Sequence, residues 1–369
     1  MKLTISKEQI LNGLQAVQNI VSTRTTLPIL SNVLLRADGQ QLELTATDLD
    51  VTIVCSVQAS VQAAGATTLP VKKLYGIVRE LASHELEMDV DEKNTCSLRA
   101  GPSFYRMNGL PAEDFPPVPK FAENKKIKLP QEKLKALLRK TSFAISTDET
   151  RFVLNGIFVS LKEHKMSLVA TDGRRLALAD EEVELADESQ GEFIVPTKAI
   201  NELNRLLQVK GDVEIRFTEN QAAFVLQDEK GASTFVISKL VEGNYPNYRQ
   251  VIPAEMRERV SLAREELLQA LRRAEIMTSE KSNSVKLSFT KNNLAITANT
   301  PEVGEARESI AINYKGKDLA VAFNPAYLMD PLKALENDEV FLELIDELSP
   351  GVLKINGPFL YVLMPMRMT

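Results

Sequence analysis

Cysteine and histidine are almost absent from this 369-residue chain, which has two of each. Cys55 and Cys96 fall on opposite sides of an expected helix. They can build neither a disulfide framework nor a thiolate metal site, and both are expected as buried, reduced thiols. His84 and His164 sit in polar loops and are too few for a metal centre. No apolar run approaches the roughly 18 residues that a membrane helix needs. The opening MKLTISKEQI is neither an apolar signal core nor an arginine-rich transit peptide, so the expected location is cytoplasmic. Walker and G-x-G-x-x-G patterns are missing, and no nucleophile stands with a base. Asp48 with Asp50 is a lone D-x-D that a turn explains. An enzyme is therefore not expected, nor is a cofactor.

What is present is a soluble, core-forming composition, 44% apolar and 25% charged, over a length that suggests two or three domains. The net charge is −6, from 44 Lys and Arg against 50 Asp and Glu. Such a chain repels polyanions on average, so a nucleic-acid role requires its basic residues on one face.

Internal repetition organises the chain. LTISKEQILNGLQAV from Leu3, IKLPQEKLKALLRKT from Ile127 and VSLAREELLQALRRA from Val260 each read as a short strand followed by a helix. Ile10, Leu14 and Val17, then Leu134, Leu138 and Thr141, then Leu267, Leu271 and Ala274 recur at helical spacing. Three strand meanders follow: NVLLRADGQQLELTATDLDVTI, GIFVSLKEHKMSLVATDGRRLAL and SVKLSFTKNNLAITANTPEVGEA. Asp172 has counterparts in Asp48 and, weakly, Thr300. It is therefore expected as a strand-end turn residue bonding its own backbone, not as a catalytic acid. A third set, TTLPVKKLYGIVREL, FIVPTKAINELNRLL and VAFNPAYLMDPLKAL, places a Pro at the start of an amphipathic helix.

The fold class is thus α+β, with three tandem domains, each a duplicated β-α-β-β-β unit. The linkers DFPPVPKFAEN and IPAEMRER set the expected domains at 1–122, 123–254 and 255–369. Six helices side by side at about 8–10 Å cover about 50–60 Å. A ring closed by one chain would be about 16–19 Å across at the helix axes, too tight for a duplex, whereas two chains reach about 32–38 Å.

Basic residues gather on these helices. Lys125, Lys126, Lys128, Lys133, Lys135, Arg139 and Lys140 face only Glu123 and Glu132 in that stretch, and Lys72, Lys73, Arg79, Lys198, Arg205, Arg264, Arg272 and Arg273 mark other helices. Acids concentrate in stretches such as ADEEVELADESQGE from Ala179. Helix faces of this kind would hold phosphates through weak, salt-sensitive and sequence-independent contact.

Over essentially its whole length the chain resembles the bacterial β sliding clamps, processivity subunits of the replicative DNA polymerase. The residues that carry the resemblance are RTTLPILSNVLL, LTATDLDV, ATTLPVKKL, RFVLNGI, VATDGRRLAL, SKLVEGNYPNYRQVIP and YVLMPMR. It implies a ring-shaped head-to-tail homodimer around duplex DNA, with helices lining the central hole and antiparallel sheets outside. It also implies DNA contacts at Arg24, Lys72, Arg79, Arg151 and Phe152, to which Lys198 is added on charge. The replicative polymerase, the clamp loader, translesion polymerases and repair factors would bind through short linear peptides, with no membrane involved. Their pocket maps to Leu154, Thr171, Gly173, Arg174, Arg175, Leu176, Pro246, Val251, Val362, Leu363, Met364, Pro365, Met366 and Arg367. A methionine- and valine-rich floor is adaptable enough for several partners. Arg174 replaces a common His, Val153 a common aromatic and Gln250 a common Arg, and Thr369 lengthens the tail, all of which bears on peptide preference. The alternative is a peptide-binding scaffold of the same fold, a specialised duplicate or resistance clamp that does not act as the main replicative clamp.

Overall fold

The computed structural model describes residues 1–21, 27–119, 121, 125–228, 232–280 and 283–367. The first repeat runs β1 (Lys2–Ser6), α1 (Lys7–Val17), β2 (Asn32–Asp38), β3 (Gln41–Thr47), β4 (Val51–Gln58), β5 (Ser60–Ala63), β6 (Gly65–Pro70), α2 (Val71–Glu80), β7 (Glu85–Val90), β8 (Thr95–Ala100) and β9 (Ser103–Asn108). The second runs β10 (Lys126–Pro130), α3 (Gln131–Thr141), β11 (Gly156–Lys162), β12 (Lys165–Thr171), β13 (Arg175–Glu182), β14 (Gly191–Pro196), α4 (Thr197–Leu206), β15 (Asp212–Phe217), β16 (Gln221–Gln227) and β17 (Ser233–Lys239). The third runs β18 (Glu258–Ala263), α5 (Arg264–Glu275), β19 (Val285–Thr290), β20 (Asn293–Thr300), β21 (Gly304–Ala311), β22 (Leu319–Phe323), α6 (Pro325–Ala334), β23 (Glu339–Leu344), β24 (Gly351–Lys354) and β25 (Phe359–Leu363). Among the described residues each repeat is β-α-β-β-β twice over, and β5 is the one added strand.

Alternation produces these strands. Exposed and buried residues alternate along β7, from exposed Glu85 to buried Val90, which puts Leu86, Met88 and Val90 on one buried face. Two of the three prolines at helix starts differ in detail from the expectation. Pro70 and Pro196 close β6 and β14 just before their helices, and only Pro325 occupies a first helical position.

The chain divides into two compact units. One comprises Met1–Lys135, Ala186–Gln190 and Lys198–Leu240; the other Ala136–Leu185, Gly191–Thr197 and Val241–Thr369. The first holds a five-stranded sheet, β5-β1-β7-β8-β9, and an eight-stranded sheet, β10-β15-β16-β17-β4-β3-β2-β6. Helix α1 buries Ile10, Leu14 and Val17. Its close approach to β3 rests on Gly13, where a Cβ would stand 2.7 Å from the Leu44 side chain. The second unit holds an eight-stranded sheet, β14-β11-β12-β13-β25-β24-β23-β18, and a four-stranded sheet, β21-β20-β19-β22. Both large sheets join strands from different repeats, through β4 with β17 and through β13 with β25.

One repeated position fastens the helices in pairs. Lys7, Gln131 and Arg264 open α1, α3 and α5; Lys7 and Arg264 bind carbonyls at or just past the carboxyl end of the second helix of their own repeat, whereas Gln131 meets the chain beyond it. Lys7 donates to the carbonyls of Arg79 and Leu81, and Arg264 to those of Leu332 and Asn337. Buried Gln131 accepts from the Gln208 amide at 2.9 Å and donates to the Gln227 carbonyl at 2.9 Å. Carbonyls at a helix end lack internal partners and carry the negative end of the dipole, so a donor there satisfies both.

Candidate partner-binding pocket and basic helix faces

The hairpin joining β12 to β13 turns on Asp172. Its Oδ1 accepts from the amides of Arg174 at 2.8 Å and Arg175 at 3.1 Å, while Thr171 Oγ1 donates to the Arg175 carbonyl at 2.6 Å and accepts from the Gly173 amide at 3.1 Å. Asp48 does the same in the first repeat, accepting from Asp50 and Val51. This is the turn role expected of both. Gly173 holds φ +86° without cost, whereas its counterpart Leu49 holds φ +78°, a conformation that strains a leucine by about 1–3 kcal/mol. Thr300 differs: its hydroxyl donates to the Met277 carbonyl.

Beside this turn β13 pairs with β25, setting Leu176 opposite Val362 and Arg175 opposite Leu363. Period-two alternation sends the two pairs to opposite faces. Leu176 and Val362 form a buried cluster with Val169 and Val352, covered by Tyr245, Tyr248, Ile252 and Met256 from the segment after β17. Past β25 the Met364 amide donates to the Arg174 carbonyl at 3.0 Å and the Met366 amide to the Ala322 carbonyl at 2.7 Å. These two bonds tie down the tail and leave Met364 44% and Met366 38% exposed. Val251 and Pro246 are also exposed, Pro365 is half-buried, Leu154 is buried and Arg367 is exposed.

Arg175 turns inward. Its Nε donates to Asp172 Oδ2 at 3.0 Å, Nη1 to Asp330 Oδ2 at 2.6 Å and Nη2 to the Phe143 carbonyl at 2.6 Å, and the guanidinium lies 4.2 Å from the Tyr327 ring centre. Burial opposes its charge, but Tyr361, Asp330 and Asp172 more than offset this and hold its pKa above the ordinary range. Arg175 and Leu363 therefore lie on the face of the sheet opposite Leu176 and Val362. Sequence reading missed Tyr245 and Tyr248, although both stand in the motif NYPNYRQVIP; Asp330 and Tyr327 carried no local signal.

The candidate DNA-contacting cations are exposed and already engaged. Lys72 donates to the Gln18 carbonyl at 2.9 Å, at the end of α1. Lys198 pairs with Asp48, Arg79 with Glu80 at 2.8 Å, and Arg151 with Asp148 at 3.6 Å. Exposed pairs like these are weak, and a phosphate can replace them. Phe152 is 58% exposed beside Arg151. Arg205 is different: it binds Glu202 and donates to the carbonyls of Gln15 at 2.8 Å and Ala16 at 2.6 Å, capping α1. Arg24 lies outside the described residues.

Family comparison reads the same organisation. Residues 1–119, 128–247 and 249–367 match the N-terminal, central and C-terminal domains of the DNA polymerase III beta subunit. The chain belongs to that family. It is 38% identical over 373 residues to the beta sliding clamp of Pseudomonas putida, covering 100% of both chains. It is 35% identical over 368 residues to that of Chlamydia pneumoniae, covering 100% of this chain and 99% of the relative. The solved sliding clamp from Bartonella birtlesii, bound to griselimycin, superposes with a TM-score of 0.94 at 36% identity, each chain covered in full. The DNA polymerase III subunit beta from Pseudomonas aeruginosa gives 0.94 at 35%, again with full coverage of both. The α+β reading of three tandem clamp domains with antiparallel sheets holds.

Proposed function

We propose that this protein is a replicative sliding clamp: two copies close head to tail around duplex DNA and, with no reaction of their own, tether the polymerase. The observation that carries this is the run of three clamp-family domains, in order, along the full chain. The domain limits are 1–122, 123–254 and 255–369, and the work is done in the cytoplasm; among the described residues no helix is long and apolar enough to cross a membrane. DNA is held by Arg24, Lys72, Arg79, Arg151, Phe152 and Lys198 without reading its sequence. Partners dock extended peptides on the exposed Met364 and Met366, beside the cluster under Tyr245 and Tyr248, with the Gly173–Arg174 turn and Arg367 at the rim. Peptide recognition of this kind combines an extended backbone with pockets for alternate side chains.

Retention on DNA tests the reading. Loaded protein should stay on a nicked circular plasmid through gel filtration and leave once the plasmid is cut. Equal retention on both forms would rule out encirclement.

A further inference from the structure

The internal repeat sets up two junctions of one design, and resting on the peptide-pocket reading above, we infer that the first is also a peptide site. Aligning the meanders places Glu43, Thr45, Thr52 and Val54 where Ser167, Val169, Leu176 and Leu178 stand. Strand pairing agrees, since β4 meets β17 with Thr52 opposite Ile237, as β13 meets β25 with Leu176 opposite Val362. The next strand sets Ala223 opposite Ile237, as Val352 is set opposite Val362. A linker covers each junction: Tyr245, Tyr248 and Ile252 over the second, Val118, Pro119 and Phe121 over the first.

The two floors differ in size and polarity. The second junction packs Val169, Leu176, Val352 and Val362 under aromatic rings and carries a cavity of about 660 Å³ beside Phe158, Leu178, Tyr245, Tyr248 and Ile252, while the first has Thr45, Thr52, Ala223 and Ile237. Ala223 and Thr52 are smaller than their counterparts, and a cavity of about 250 Å³ opens here between Val54, Ala223, Val225, Phe235, Ile237 and the linker. Thr45, directly opposite Val54 and only 1% exposed, has a hydroxyl with no hydrogen-bond partner. Thr45 does not line the cavity, so an anchor side chain is held by the apolar residues that do.

The rim sets the sign. Arg216 is held by Glu214 at 2.6 Å, which leaves the Glu43 carboxylate to face an arriving ligand. At the peptide pocket proposed above Arg174 and Arg367 are exposed, while the cavity under Tyr245 and Tyr248 is lined by charges of both signs, Lys162, Lys165 and Arg249 with Glu163, Asp180 and Glu192. The first junction therefore takes an extended peptide with one apolar anchor side chain flanked by basic residues, and the pocket beside Arg174 and Arg367 takes the acidic-flanked counterpart.

Two photo-leucine hexapeptides, one flanked by Lys and one by Asp, would be cross-linked to the full-length protein and mapped by mass spectrometry. The Lys-flanked peptide should label Val118, Phe121 and Phe235. Ala223→Leu, which fills the cavity, should reduce that labelling by about tenfold or more, as expected when one anchored side chain is shut out. Met364→Ala with Met366→Ala should leave it intact. Should Ala223→Leu fail to fold, Glu43→Lys at the rim should lower the same labelling several-fold. Labelling at the second junction alone, or first-junction labelling untouched by both variants, overturns this inference and leaves the pocket above standing. An Asp-flanked peptide that spares Met364 and Met366 while the Lys-flanked one labels Phe121 removes the pocket above instead. Absence of label at both removes the two together.

Discussion

Arg175 on β13 donates to Asp330 on α6 at 2.6 Å, across 155 residues of chain. That bond holds the turn whose Arg174 carbonyl accepts from the Met364 amide, so it connects a partly buried charge pair to the placement of the exposed Met364.

Asp330 is one of two carboxylates on the largely buried Arg175, so removing it leaves Asp172 in place and costs about 1–3 kcal/mol. Asp330→Ala should lower the urea midpoint accordingly and weaken partner-peptide binding as the turn loosens. Adding Arg175→Met should cost less than Arg175→Met does alone, because one of its carboxylate partners is already gone. A double variant whose loss equals the sum of the two single losses would show that the pair is not coupled.

Met364 and Met366 lie at the surface, tied down through their backbone amides. Replacing both by Ala should reduce affinity for a polymerase-derived peptide several-fold while leaving the melting temperature and molecular mass unchanged. Isothermal titration beside size-exclusion light scattering checks this, and an unchanged affinity would exclude the methionines from the binding surface.

Lys72 and Lys198 occupy the same position in consecutive repeats. Changing both to Glu should weaken DNA retention and flatten its salt dependence, by about 0.9 in log–log slope for each phosphate that is no longer neutralised. Arg205→Ala should behave differently, lowering stability by about 1–3 kcal/mol as α1 is left uncapped while DNA retention persists. Equal effects from the two changes would mean that charge, not placement, decides.

Burial pushes the Cys96 thiol from an ordinary 9.0 to about 12. Below pH 9.0 the thiol is protonated in both folded and unfolded chains, and between 9.0 and about 12 only the unfolded chain releases the proton. Stability should therefore fall across that window. Cys96→Ala should give a shallower alkaline decline than the parent protein in denaturant titrations, and parallel declines would show the thiol plays no part.

Local pattern settled much of this before any coordinates. Helical and alternating spacing marked out six helices and the strand meanders, because burying one face of each element is a short-range demand. Repetition of Asp48 and Asp172 marked both as turn residues, since an Asx turn closes within three residues. Tertiary structure alone decided which strands from different repeats share a sheet, that Arg175 turns inward to Asp330, and that Arg205 caps α1 instead of facing outward. Those outcomes depend on partners well over a hundred residues away, and no periodicity encodes which distant carboxylate or carbonyl a cation will meet.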